Sequence, residues 1–176
     1  MVIDRAKTVR GAVAGAVAAA VWLAQQPLDK PLFGVDYDDS ELLGKAVTRG
    51  RAWPVVGAVL HVGNGAVLGA LYSNVAPRLP LPSWCRGPVV ALGEHVATWP
   101  LTLAVDRVHP ARDEMPRLAS SARAFAQATW RHLLFGIVLG ELERRLNASP
   151  DPELPSYEHV VSSNGHGRLE HAVTPG

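Results

Sequence analysis

The chain has 176 residues, of which 48% are hydrophobic and 19% charged, with a formal net charge of +1 and one cysteine. That length allows one domain, or one domain and a tail. The near-neutral charge provides no field to gather nucleic acid, and the lone Cys85 excludes an internal disulfide or a cysteine-cluster metal site.

The composition is uneven: apolar blocks rich in Ala, Val, Leu and Gly alternate with charged, proline-containing connectors. Residues 1–10 carry Arg5, Lys7 and Arg10 against Asp4, and an uncharged run from Gly11 to Ala24 follows. A cleaved signal peptide would share this pattern. Further apolar blocks follow it, so it reads as an uncleaved first span over about 11–27, close to the ~17-residue lower limit for crossing a bilayer. Gly11 and Gly15 recur at the four-residue spacing that admits a neighbouring helix backbone.

Residues 28–51 read as a connector, broken at Pro31 and Gly34, with a short helix over Glu41–Val47. Its acids Asp36, Asp38 and Asp39 lack the spacing of a calcium loop and read as a solvated acidic stretch. The second span covers 52–76, with Trp53 and Tyr72 at the interfaces, Gly65 and Gly69 as packing residues, and His61 and Asn64 sharing one face. A stiff connector, residues 77–87, contains three prolines. The third span covers 88–105, and Pro100 should kink it. After the charged segment 106–123, the fourth span covers 124–142, with Arg131 and His132 in its first half and Gly136 and Gly140 four apart. From Asn147 onward, prolines and polar residues predict a disordered tail, 147–176. The expected fold is therefore all-α: a four-helix transmembrane bundle over 1–146, inserted in the inner membrane with both termini cytoplasmic. The first helix sets that orientation, because the lysines and arginines of the opposing loops nearly balance.

A polar centre organises this bundle. Counting ~1.5 Å of rise per residue places His61, Glu94, His95 and His132 within one or two helical turns of a common level, roughly 12–16 Å into the bilayer. A charged residue facing hydrocarbon costs roughly 2.5–3.5 kcal/mol, so these groups should face inward and satisfy one another, with Asn64. Arg131 would pair with Glu94 or extend toward the headgroups. Three readings of the layer stand open. It is a structural polar network, a proton relay through Glu94 and the histidines, or a haem or metal site at His61, His95 and His132. No nucleophile motif, phosphate loop or dinucleotide fingerprint occurs, so the expected protein is not an enzyme. Its expected partner is the lipid bilayer, with a second copy or another membrane protein also open. A soluble helical bundle is the alternative from a different class.

His61 with Tyr72, Glu94-His95 followed by Pro100, and His132-Leu133 running into Glu141–Arg145 resemble the YagU-type family of small bacterial inner-membrane proteins. The resemblance spans about residues 10–146. It implies four membrane spans, an association of His61, His95 and His132, and a link to acid tolerance, and it supplies no reaction.

Overall fold

The computed structural model describes residues 4–148, so the tail expected over 147–176 lies almost wholly outside the described residues. The described chain is helical throughout: α1 (Arg5–Phe33), α2 (Asp39–Val47), α3 (Trp53–Val75), α4 (Ser83–Thr98), α5 (Thr102–Val108) and α6 (Ala122–Leu146), with short 3-10 turns at Ala76–Arg78, Trp99–Leu101 and Arg112–Glu114.

Several helix boundaries differ from those expected. The first helix does not stop near Pro27 but continues through Pro27 and Pro31 to a left-handed Gly34 at φ 66°. Each proline deletes one backbone donor, and side chains of the same turns tie this end down: Gln26 accepts from the Asp39 backbone N–H at 3.0 Å, and Lys30 pairs with Asp38 at 3.0 Å. The third expected span, 88–105, is two helices. Helix α4 starts earlier, at Ser83, and ends at Thr98; the Trp99–Leu101 turn holding Pro100 then separates it from α5. The kink expected at Pro100 is thus a break. Helix α6 extends past both ends of 124–142, capped by the Ser121 hydroxyl on the Ala124 N–H at 3.1 Å.

Three antiparallel seams hold the long helices in the order α3, α1, α6, α4. The outer seams are made by glycine. A Cβ at Gly15 would strike the backbone of Gly65 and one at Gly69 the backbone of Gly11 and Gly15, while Gly87 of α4 lies against Gly136 and Gly140 of α6. Only residues without a side chain permit such backbone approach. The central seam, between α1 and α6, takes large groups instead: Trp22 lies against Phe135 with ring centroids 6.2 Å apart, and Leu139 is fully buried. Helices α3 and α4 do not pack along each other, so the row is open on one side. Tyr72 closes it at the level of Gly140. At the opposite end α2 crosses the first turns of α3, where Gly44 meets the Trp53 backbone and Gly57 that of Ser40.

Two helical stretches, Arg5–Phe33 and Trp53–Arg78, are long and apolar enough to cross a membrane. Only 33% and 22% of their most apolar segments is buried. Val13 and Val17 of α1 and Val55, Val59, Val67 and Leu71 of α3 face outward.

Candidate functional site

Two polar systems in the interior differ in kind. The first surrounds Arg131, whose side chain is fully buried on α6. Its Nε and one Nη donate to the two oxygens of Asp29, each at 2.6 Å; the other Nη donates to Asp39 at 2.8 Å, and the Tyr37 carbonyl accepts at 3.0 Å. Asp39 also accepts from the Trp22 indole at 2.8 Å and from the Tyr37 hydroxyl at 2.6 Å. Asp29 accepts from Gln25 at 2.6 Å and Gln127 at 2.8 Å. Burial, reinforced by the negative charge of Asp39, pushes the Tyr37 phenol well above its ordinary range, so it donates as a neutral hydroxyl. This arrangement corrects two expectations. Arg131 neither pairs with Glu94 nor reaches for headgroups, because two carboxylates from α1 and α2 surround it. Asp39 is not part of a solvated stretch; it is 8% exposed and joins α2 to the bundle. Asp29 carries no mark in the sequence, because nothing local identifies a carboxylate as the partner of an arginine 102 positions away.

The second system lies on the open side of the row. His61, Asn64, Glu94, His95 and His132 all line one cavity of about 560 Å³ between α3 and α4, floored by Trp22 and Phe135. Arg131 is absent from its lining. Glu94 Oε2 lies 3.0 Å from His132 Nε2, and His132 Nδ1 lies 2.7 Å from the Ala128 carbonyl. The His95 ring stacks on that of His132, with centroids 4.5 Å apart and 31° between planes. Trp22 stands edge-on between His132, at 4.6 Å, and His61, at 5.2 Å. His61 therefore shares the cavity without touching the other histidines. Its Nε2 is buried and unpartnered among the described residues.

Hydrogen-bond chemistry assigns the protons. A carbonyl only accepts, so His132 Nδ1 carries hydrogen. At Nε2, either the imidazolium donates to the Glu94 carboxylate or a Glu94 carboxylic acid donates to the bare nitrogen. Both states hold one proton more than a carboxylate beside a neutral imidazole of this tautomer, whose facing lone pairs would repel. For His95, the Thr129 hydroxyl spends its single proton on the Phe125 carbonyl at 2.8 Å. It must therefore accept from His95 Nε2, 3.0 Å away. A neutral His95 then has its lone pair on Nδ1.

The stacked rings of His95 and His132 leave no gap for a porphyrin between them, and Trp22 stands between the rings of His132 and His61, so neither of these two pairs is an axial pair. Among the described residues no group of three or more His, Cys, Asp or Glu side chains is placed to hold a metal ion. Of the expected packing residues, Gly11, Gly15, Gly65 and Gly69 line the α1/α3 seam and Gly136 and Gly140 the α4/α6 seam. Gly87, their partner on α4, sits in the stretch expected as the stiff connector 77–87.

Comparison with family models, with characterised proteins and with solved structures finds no match.

Proposed function

We propose that the chain is a helical integral membrane protein whose Glu94–His132 pair takes up and releases a proton at the wall of an internal cavity. Apolar faces left uncovered along α1 and α3 support the membrane placement, because the core helix of a water-soluble protein buries such a face. A membrane also explains why α3 tolerates an outward row of Val55, Val59, Val67 and Leu71.

The single observation carrying the proton reading is the position of His132 between a carbonyl that only accepts and a carboxylate. That geometry stores one shared proton in an electrically neutral pair, which avoids the cost of a lone charge in apolar surroundings. The purely structural reading fits the other system better. Arg131, Asp29 and Asp39 are buried and saturated with partners, whereas the Glu94 side chain is 36% exposed on the cavity. Toward the chain-terminus end, among the described residues, Leu139, Tyr72 and Ala14 fill the core. The pair therefore exchanges its proton with the cavity.

The test is proton counting. Purified protein in detergent, titrated against a pH-indicator dye, should take up one proton that Glu94→Gln removes, with helical content unchanged by circular dichroism. Superimposable titrations for wild type and variant would sink the proposal.

A further inference from the structure

The cavity between α3 and α4 has a lining whose chemistry selects an occupant. We infer that it binds a lipophilic protonated amine, entering between α3 and α4 and exchanging its charge for the proton of the Glu94–His132 pair; this rests on the proton reading above.

Among the described residues no lysine or arginine lines the cavity. Its free polar atoms include a row of acceptors on α4 and α5, facing the N–H donors of Asn64 and His61 on α3. Thr98 spends its hydroxyl proton on the Glu94 carbonyl at 2.9 Å and Thr102 on the Trp99 carbonyl at 2.6 Å, leaving oxygen lone pairs. His95 keeps a lone pair on Nδ1, and Glu94 has carboxylate lone pairs to spare. A head with several N–H donors satisfies those acceptors, and the Glu94 carboxylate repels an anion. Trp22, Tyr37, Trp99 and Phe135 contribute aromatic surface, and aromatic rings attract an ammonium. About 560 Å³ falls within the range of small-molecule sites, roughly 300–1,000 Å³. The mouth is apolar, framed by Val67 and Leu71 on α3, 62% and 61% exposed, and by Leu101, 65% exposed. An amphipathic molecule dissolved in a bilayer meets that opening directly.

The charges balance. A bound ammonium donates to the Glu94 carboxylate and to the bare Nε2 of His132, and the proton the pair had shared leaves to water. The cavity thus exchanges one positive charge for another. The other titratable groups facing this exchange are His95 on α4, His61 on α3, and Tyr37 with Asp39 at the α2 end. Asp39 already has Arg131, Trp22 and Tyr37 as donors. Glu94 is therefore the carboxylate left to meet the cation.

The experiment uses the full chain in lipid nanodiscs and three probes of one shape: 1-naphthylmethylamine, the neutral 1-naphthylmethanol and the anionic 1-naphthoate. Calorimetry reads affinity, and a pH dye reads proton release. The amine should bind at least tenfold more tightly than the alcohol and release a proton. Glu94→Gln should lose at least tenfold in amine affinity, abolish the release and leave the alcohol unchanged. Equal binding of amine and alcohol, tighter binding of the carboxylate, no binding of any probe, or an unaltered Glu94→Gln would each overturn the inference. If proton counting without ligand still shows the Glu94-dependent proton, the proton reading survives and only the ligand assignment falls.

Discussion

Replacing Arg131 with Met tests whether its ion network holds the bundle together. Arg131 is fully buried, with Asp29 on two nitrogens and Asp39 on a third. Removing the guanidinium leaves two carboxylates in the interior with no cation between them. Breaking a buried pair from one side costs about 3–5 kcal/mol, against a total stability of about 5–15 kcal/mol for a typical domain. At 1.4 kcal/mol per tenfold, the folded-to-unfolded ratio falls by roughly two to three and a half orders of magnitude. For a chain this size that corresponds to a drop in Tm of roughly 6–20 °C. Circular dichroism of the protein in mild detergent measures it. The triple change Arg131→Met, Asp29→Asn, Asp39→Asn should recover most of the loss, because it removes the stranded charges along with the cation. Arg131→Lys should not, since an ammonium cannot reproduce the fork across both oxygens of Asp29. An Arg131→Met protein melting within a degree or two of wild type would refute this account.

The glycine seams predict a contrast. Gly15→Ala, which would set a methyl group against the Gly65 backbone, should cost about 1–3 kcal/mol, while Gly63→Ala, with nothing within 4 Å, should change stability by no more than about 1 kcal/mol; equal Tm values would remove close packing as the reason for Gly15. Alkaline carbonate extraction should leave the protein in the membrane pellet, and its release into the supernatant would remove the membrane reading. Acid stability should report Asp38, the cap of α2. Burial there opposes the charged form, but hydrogen bonds from Ser40, Lys30 and the Glu41 N–H outweigh it and hold the carboxyl below the usual range. A carboxyl lowered in the folded state stabilises above its unfolded value of about 3.9 and loses that contribution as pH falls through the folded value. The stability gap between wild type and Asp38→Asn should therefore be flat near neutral pH and shrink below about pH 4, and a gap that persists to pH 2 would rule Asp38 out as the group responsible.

How much of this was legible in the sequence depended on range. Histidines and Glu94 stand out because they interrupt apolar runs, and counting helical rise was enough to bring His61, Glu94, His95 and His132 to one level. The count could not rotate the helices. It left His61 and His132 as neighbours, although the Trp22 ring stands between them. Arg131, about 100° round the helix from His132, turns toward α1, where Asp29 and not Glu94 is its partner. The connector was the larger miss. Its acids look solvated by composition, and only tertiary packing reveals that Asp39 is a ligand of Arg131 while Asp36, its neighbour three positions earlier, is exposed.

The cavity itself follows from which residues were placed at which seam. Glycines draw α3 onto α1 and α4 onto α6 until their backbones touch. Between the two pairs, Trp22, Phe135, Leu139 and the Arg131–Asp29 pair fill the seam, so α1 and α6 meet through side chains and not backbone. The outer helices ride on a wide central seam and cannot reach each other, except where Tyr72 bridges to Gly140. Narrowing that seam should then close the cavity. Trp22→Ala removes its floor and the donor to Asp39 together, letting α1 and α6 approach. The proton pair on α4 and α6 would survive, because no atom of Trp22 contributes to the Glu94–His132 hydrogen bond. Retained proton uptake with lost amine binding in that variant would show that the seam controls the space and the pair the charge, as separate properties of one fold.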